Sequence, residues 1–374
     1  MIVKGGLSAG VVRLGRPAEG AFTSFKAGGI PSVLRDGNTV AWFDYLDSRT
    51  VNKDAQNRVN YWLDKMHYAV GANIMPNPLN FMDDSWTVYK YAAKDNNSKF
   101  HSITSRGGIR NSNYQWTLGA TYWLRAKVKI TSGKELSIED YNAANAYFQI
   151  TGTNGWQEID NHFTVTAIGT NGILLYLSSS NIIAEFEYLY IKPVAGNHIR
   201  QATAASQPVW DATNGILFDG VDDFMNNAVT WSLPQPVTIY LVGKQVTWSD
   251  GKIITEGSTN YYCRLWQQES SPQIRISASA NGANYLANTN LAVNTFGIVT
   301  ALFNGSNSLL QVNNTDAVTG DIGTNAMNGL YIGKGASAAY SNIQVKAIII
   351  RKVADSADIR TVIKNYLNSV YEIW

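Results

Sequence analysis

The chain is 374 residues long and is 45% hydrophobic, 11% aromatic and only 16% charged, whereas an average soluble domain is about 25% charged. This length predicts two or three domains with sizeable cores, and it excludes a small disulfide-stapled scaffold. Thirty Lys and Arg residues against 28 Asp and Glu residues give a net charge of +2. That balance argues against nucleic acid as a partner of the whole chain, and the single cysteine, Cys263, excludes an internal disulfide.

Residues 1–37 differ from the rest of the chain. They hold eight glycines, five basic residues and two acidic ones, for a charge of +3, without sustained periodicity. Apolar residues such as Phe22, Phe25 and Leu34 are interspersed among them, so we expect an arm that docks on other proteins. A disordered leader is the alternative, because glycine raises the entropy cost of ordering. We find no apolar stretch typical of a signal peptide and no run of about 20 apolar residues, so we expect no membrane span.

From Val40 onward the sequence consists of short β-type runs separated by Gly, Asn, Asp and Ser clusters, a pattern typical of sandwiches and barrels. The clearest run, residues 121–130, alternates between an apolar face and a face with Trp123, Arg125 and two lysines, as a half-buried antiparallel strand does. Only the terminal segment, residues 354–374, has helical periodicity, and Ser356 or Asp355 is placed to cap that helix. The predicted fold class is therefore all-β with an N-terminal arm and a C-terminal helix.

Two separated stretches together carry a first resemblance. Residues 39–65 (TVAWFDYLDSRTVNKDAQNRVNYWLDK) and residues 196–225 (GNHIRQATAASQPVWDATNGILFDGVDDFM) resemble the opening and the continuation of concanavalin A-like, LamG-type domains of phage and bacterial proteins. In that family the two motifs lie close together in sequence, whereas here about 130 residues separate them.

The intervening stretch carries a second resemblance. Its segments NPLNFMDDSWTVYK, YQWTLGATYWLRAKVKI, GWQEIDNHFTVTA and AEFEYLYIKPV resemble jelly-roll carbohydrate-binding modules of the family 4/9 type. The resemblances imply two nested β-sandwich or jelly-roll modules, since an insertion at a loop tip is tolerated when its ends lie close together. We predict residues 1–37 as the arm, 38–71 and 196–374 as the discontinuous concanavalin A-like sandwich, and 72–195 as the inserted jelly roll.

Exposed aromatic residues are the candidate ligand-binding groups, because sugar rings present apolar faces that pack on aromatic rings while polar side chains bond the hydroxyls. Trp123 is the best candidate, since it lies on the polar face of its strand beside Arg125. Packing inside a core or against a neighbouring subunit is the alternative for each residue. The carbohydrate-binding candidates are Trp123, Arg125, Trp116 and Trp86 in the inserted module, and Tyr262 and Trp266 in the sandwich. Trp156 matches a family position that we expect in the core.

Acidic residues give weaker signals. Asp219, Asp222 and Asp223 fall within five residues and could hold calcium, but we favour a turn in which their side chains bond their own backbone. Glu158 and Asp160 resemble part of the catalytic pattern of concanavalin-type glucanases, which carries a third acid where this chain has Phe163. We therefore predict no catalytic residues, no required cofactor and no enzyme.

These features together favour a bacteriophage virion protein, either a tail fibre or receptor-binding protein or a capsid appendage. The arm would bind other virion proteins, and the modules would present carbohydrate-binding surfaces to host glycans. The alternatives are a bacterial polysaccharide-binding lectin or accessory module of a glycan-degrading enzyme, and a purely architectural decoration protein. Because virion proteins usually assemble symmetrically, we expect a homo-oligomer by analogy.

Overall fold

A computed structural model of the chain describes residues 29–66, 69–71, 74, 80–140, 146–169, 172–227, 231–260, 262–268 and 271–374. Over these residues the fold is all-β with a single α-helix, as predicted. Most of the predicted arm, residues 1–28, lies outside the described part of the chain. In that part, no helix is long and apolar enough to cross a membrane.

The strands fall into three groups along the chain. The first group is β1 (Thr39–Asp44), β2 (Val51–Lys53) and β3 (Val59–Trp62). The second group is β4 (Ala69–Val70), β5 (Trp86–Asn96), β6 (Lys99–Asn111), β7 (Thr121–Ile130), β8 (Glu135–Asp140), β9 (Ala146–Thr151), β10 (Trp156–Thr164), β11 (Ile173–Leu177) and β12 (Ile183–Ala195).

The third group is β13 (Ile199–Arg200), β14 (Val209–Asp211), β15 (Gly215–Asp219), β16 (Met225–Asn227), β17 (Ser232–Leu233), β18 (Val237–Gln245), β19 (Ile253–Glu256), β20 (Arg264–Gln267), β21 (Ile274–Ser277), β22 (Leu286–Asn288), β23 (Gly297–Phe303), β24 (Ser308–Val312), β25 (Val318–Gly320), β26 (Met327–Asn328), β27 (Tyr331–Ile332) and β28 (Asn342–Arg351). Helix α1 (Ala357–Tyr371) follows β28. Short 3-10 turns occupy Ser32–Arg35, Ala204–Ser206, Ala280–Gly282 and Gly305–Asn307.

The second group forms one antiparallel sheet, sheet I, in the order β10-β7-β12-β6-β11-β8-β9, with β4 beside β12 and β5 beside β6. Strand β6 joins its two halves, pairing with β12 near its start and with β11 near its end. The apolar faces of both halves enclose one core of their own. Strand β7 contributes the side chains predicted from its alternation, Tyr122, Leu124, Ala126, Val128 and Ile130.

The two ends of the sheet I segment lie side by side. Val70 on β4 pairs with Val194 on β12, and the Gly71 amide donates to the Pro193 carbonyl at 2.8 Å. This closeness is what an insertion into a loop of another domain requires. The predicted boundaries of the nested module, 72–195, stay a prediction about an independently folding unit.

The remaining strands form two packed sheets and one small β17–β26 pair. Sheet II has the order β14-β15-β28-β18-β23-β24-β25, with β1 also beside β28, and sheet III has the order β2-β3-β13-β16-β27-β19-β20-β21-β22. Sheet II is covered on both faces. On β1, Phe43 packs against Trp62 of sheet III, while the next residue back, Trp42, packs against Tyr366 of α1.

Burial on both faces explains why the strands of sheet II are almost continuously apolar. Every residue of β23 is buried, as are eight of the nine residues of β18. Of the apolar residues whose periodicity predicted α1, Ile363, Tyr366 and Leu367 are buried in this core, whereas Val362 is 47% exposed. Ser356, one of the two residues predicted as the cap, caps the helix, and its side chain accepts a hydrogen bond from the Ile359 amide.

The end of the predicted arm belongs to this core rather than to a free segment. Leu34 is fully buried, and Arg351 on β28 donates to the Val33 carbonyl at 2.6 Å and to the Asp36 carboxylate at 2.9 Å. Val33 and Leu34 therefore pack on the sandwich core, and the boundary of the arm at residue 37 stays a prediction.

Candidate functional site

Strands β10, β7 and β12 present one polar and aromatic face of sheet I away from its core. Trp123 on β7 pairs with His162 on β10 and with Lys192 on β12. Two residues further along β7, Arg125 pairs with Asp160 on β10 and with Tyr190 on β12. Directly opposed residues of antiparallel strands place their side chains on the same face. We call this surface the Trp123 face.

Trp123 is held in place at its edge. Its indole Nε1 donates to Asp160 Oδ1 at 2.6 Å, and Lys192 Nζ lies 5.9 Å from the ring centroid. The ring is half-buried. It points away from the core because its neighbours in sequence, Tyr122 and Leu124, point into it, as the alternation of this strand predicted.

Arg125 is also on this face, as predicted, and it stacks with tyrosines of β12. Its guanidinium carbon lies 5.7 Å from the centroid of the Tyr188 ring. Tyr188 and Tyr190 form a tilted pair with centroids 5.6 Å apart, and Tyr190 is 39% exposed. A bulge between Phe186 and Tyr188 brings both tyrosines onto the same side as Arg125.

The far end of the face is marked by Trp156, which is 45% exposed. Our expectation that Trp156 belongs to the core is therefore wrong. Lys127 Nζ lies 5.9 Å from its ring and forms an ion pair with Glu187, whose hydrogen bond raises the pKa of Lys127. Trp156 pairs with Lys129, six residues along β7 from Trp123, so the face is about 20 Å long at about 3.3 Å per residue.

Trp86 and Trp116 do not contribute to any such face, and their prediction as binding residues is corrected. They are 1% and 3% exposed. Trp116 packs edge-on against Tyr122 at 5.0 Å and donates its Nε1 to the Gly172 carbonyl at 2.8 Å. Neither indole has a ring face that a ligand can reach, because both rings fill the core of sheet I.

In sheet III, Trp266 is only 4% exposed, so it too is corrected as a binding residue. The Arg264 guanidinium carbon lies 5.8 Å from the Trp266 ring. The Trp266 indole Nε1 donates a hydrogen bond to Gln268 Oε1 at 2.9 Å. Tyr262 lies near it in sequence and is half-buried. The two residues therefore do not form an open aromatic surface together.

The acidic triplet forms a turn. Asp219 Oδ1 accepts the amides of Val221, Asp222 and Asp223 at 2.8 to 3.4 Å, the pattern of an Asx turn. The three carboxylates lie within 4.8 Å of one another. Burial, with the neighbouring negative charges of Asp219 and Asp222, raises the pKa of Asp223 to about 6. The bonds to backbone account for the turn, and calcium there stays a prediction.

One cluster was missed by the sequence analysis. Phe224, Tyr331 and Tyr340 surround the ammonium group of Lys334 on sheet III, with Lys334 Nζ 3.8 Å from the Phe224 centroid. Phe224 directly precedes β16, whereas Tyr331 on β27 and Lys334 and Tyr340 in the loop after β27 lie more than 100 residues downstream. No periodic pattern connects them, and only the isolated Gly333-Lys334-Gly335 triplet marks the place in sequence.

No protein-family model and no curated protein matches the chain. One solved structure similar to it, a truncated AlyQ with CBM32 and alginate lyase domains, covers 76% of this chain and 97% of its own, at 8% identity and a TM-score of 0.25. Another, the exoplasmic/lumenal domain of VIP36 in a Ca2+/Man2-bound form, covers 78% and 92%, at 9% identity and a TM-score of 0.17. Scores this low say nothing about function.

Proposed function

We propose that this chain binds carbohydrate through the Trp123 face. The observation that carries the proposal is the arrangement itself: a fixed indole, a tyrosine pair and a second exposed indole, interleaved with polar groups over about 20 Å of strand. Apolar sugar faces pack on aromatic rings, and hydroxyl groups need convergent hydrogen-bond partners. An extended oligosaccharide lying along β7 meets both requirements.

Each residue of the face has a distinct part in this proposal. Trp123 offers its ring as a platform, and its bond to Asp160 fixes the orientation before binding, which lowers the entropy cost. Arg125 and Lys192 supply donors for hydroxyl groups on either side of the indole. Trp156 is a second platform at the other end.

A glycan array probed with matched variants tests the proposal. We expect Trp123→Ala to weaken binding by tenfold or more, because the platform is lost. The control is Trp374→Ala, which removes an exposed indole after α1 that is not part of the Trp123 face, and we expect unchanged binding. Equal unfolding temperatures would show that both variants fold. Wild-type protein that binds no glycan, or equal binding by wild type and Trp123→Ala, would refute the proposal.

We further propose that binding is not followed by catalysis. Glu158 and Asp160 lack the third acid of the glucanase pattern, and the Asp160 carboxylate already accepts the Trp123 indole. Release of reducing sugar from a bound polysaccharide would contradict this.

For the biological setting we propose display on a bacteriophage virion as a homo-oligomer, with other virion proteins bound through the part of residues 1–37 that precedes the buried Leu34. Support comes from the glycine-rich, basic, partly apolar character of that segment. The second candidate is a polysaccharide-binding lectin or accessory module of a glycan-degrading enzyme. Antibody labelling of purified particles in negative stain distinguishes them: labelled virions are expected, and labelling confined to bacterial cells would favour the lectin.

A further inference from the structure

Sheet III and the loop after β27 carry a half-buried cation enclosed by aromatic rings, none of which belongs to the Trp123 face. Lys334 Nζ lies 3.8 Å from the Phe224 centroid, 5.3 Å from that of Tyr331 and 5.6 Å from that of Tyr340. The Phe224 ring is itself 6.1 Å from Tyr331 and 6.3 Å from Tyr340. All four side chains are partly exposed, so the cluster opens to solvent.

This cation has no acidic partner within the described part of the chain. Neither the hydrogen bonds nor the ion pairs found there include the Lys334 side chain, and burial lowers its pKa without a compensating charge. Aromatic faces stabilise an ammonium group only by about 0.5–2 kcal/mol. A buried charge is better stabilised when an anion with hydrogen-bonding oxygens joins it.

A second cation and an amide extend the cluster along one row of sheet III. Arg200 on β13 pairs with Asn226 on β16, which pairs in turn with Tyr331 on β27. Adjacent residues of these strands, Ile199, Met225 and Ile332, point into the core, so this row points away from it. The Arg200 and Asn226 side chains are half-buried and make no hydrogen bond or ion pair with the described residues.

The acids nearest to this row are committed to other groups. Glu256 pairs with Tyr331 across the strands, but its carboxylate accepts from Arg264 Nε at 2.6 Å and from the Ala336 amide at 2.9 Å. Asp223 precedes Phe224, but its Oδ2 accepts the Asp219 amide at 3.1 Å within the acidic turn. The positive charges of Lys334 and Arg200 are therefore not neutralised from within the row.

We propose that this cluster is a second carbohydrate site and that it is selective for an acidic sugar, a pyranose bearing a carboxylate such as a uronic acid residue. The carboxylate lies against Lys334 and Arg200, the ring packs on Phe224 and the tyrosines, and Asn226 bonds a hydroxyl. A carboxylate complements the two cations, and an apolar ring face complements the aromatic rings, which a free inorganic anion does not use. The site shares no residue with the Trp123 face.

The test uses the full chain with hexamers of galacturonate, glucuronate and mannuronate, and with the carboxyl-reduced form of each, in titration calorimetry. We expect at least one acidic hexamer to bind and its reduced form to bind at least tenfold more weakly. Lys334→Gln should weaken binding by about tenfold or more, since charged hydrogen bonds are the strong ones. The matched control is Lys352→Gln, an exposed lysine on another surface, which should bind like wild type.

Phe224→Leu provides a second variant, because it keeps apolar volume and loses the ring; we expect weaker binding and an unchanged unfolding temperature. The inference is overturned if no acidic hexamer binds, if acidic and reduced hexamers bind equally, or if Lys334→Gln binds like wild type. Inorganic phosphate that competes as well as the hexamer would overturn the sugar assignment. A failure of the proposed function at the Trp123 face is distinguishable from a failure of this inference, because Trp123 is not part of the Lys334 site and Trp123→Ala leaves that site unchanged.

Discussion

At the residue scale, acids that look alike in sequence have different roles. Asp44 resembles a turn residue in sequence, yet its side chain is 3% exposed and accepts Lys65 Nζ at 2.6 Å and the Tyr371 hydroxyl at 2.7 Å. It therefore links β1 to the end of α1, some 330 residues apart in the chain. Asp219, by contrast, bonds only local backbone amides among the contacts described above, as its spacing predicted.

Asp223 provides a pH-dependent prediction. Its pKa of about 6 lies above the ordinary value of 3.8, so the folded protein holds this proton to higher pH than the unfolded chain does. Folding stability must then fall as pH rises from about 4 through about 6. Asp223→Asn, which keeps an acceptor for the Asp219 amide, should raise the free energy of unfolding at pH 7 by about 1–2 kcal/mol.

Urea denaturation of the two proteins at pH 4 and pH 7 measures this difference. Asp316→Asn, at an exposed position, is the control and should have no effect. A gain at pH 4 as large as that at pH 7 would contradict the assignment.

Wild-type protein and Asp223→Asn also test whether the acidic turn binds calcium. We expect the acidic turn to fold without the ion, because the Asp219 carboxylate is already satisfied by three amides. Melting curves with and without excess calcium should coincide. A higher melting temperature with calcium in the wild type, absent from Asp223→Asn, would instead establish a cation site.

At the scale of elements, sheet II is held to its surroundings by a buried charge network. Arg351 at the end of β28 is 1% exposed and donates to Asp355 before α1 as well as to Asp36. Asp355 also accepts the Tyr240 hydroxyl at 2.9 Å. The network therefore fixes the segment before β1 and the start of α1 to the same strand.

Arg351→Met is expected to lower the free energy of unfolding by about 3–5 kcal/mol, because it leaves the Asp355 charge buried and unpaired. Arg351→Met combined with Asp355→Asn should recover part of this loss. Urea denaturation measures both. A single variant that is as stable as wild type would show that the network is dispensable.

A second contact between elements joins β10 of sheet I to β2 and β3. His162 Nδ1 accepts a hydrogen bond from Asn52 Nδ2 at 3.4 Å. The Tyr61 hydroxyl lies 3.2 Å from Thr164 Oγ1. Burial lowers the pKa of His162 to about 4, with the charge of His198 acting in the same direction and Asp160 opposing it. The neutral imidazole is thus part of the contact.

Because the unfolded chain binds this proton near pH 6.5 and the folded protein only near pH 4, stability should be lost as pH falls through that interval. The loss attributable to His162 is up to about 3 kcal/mol. His162→Gln cannot be protonated and should show a smaller decrease between pH 7 and pH 4.5 in urea denaturation. Gln149→Asn, at an exposed position on β9 that carries no titratable group, is the control and should decrease like wild type.

At the scale of the whole molecule, the sheet I segment has a core of its own. The two ends of the segment, where it connects to the rest of the chain, lie side by side. We expect that replacing residues 72–195 with a short glycine linker leaves a folded sandwich, because the residues that form the sandwich core all lie outside that range. Circular dichroism and a single cooperative thermal transition would verify this. A deletion protein without a transition would contradict the nested organisation.

Local sequence patterns predicted much of the fold but only part of the sites. Alternation predicted β7 and the outward direction of Trp123, and helical periodicity predicted α1 and its Ser356 cap. The family resemblance that placed Trp156 in the core failed, because Trp156 pairs with Lys129 on the outward face of β7.

Within an unbroken strand such as β7, the sequence by itself determined which side a residue occupies, because that alternation is a property of the extended backbone. The bulge between Phe186 and Tyr188, which changes the side in β12, is visible only in the tertiary structure. Only the tertiary structure decided which sides are covered: Trp86, Trp116 and Trp266 are buried by packing from distant strands. It alone also brought Phe224, Tyr331, Lys334 and Tyr340 together. Such clusters form across strands that the chain order separates, so their physical cause is sheet pairing and packing rather than any local spacing.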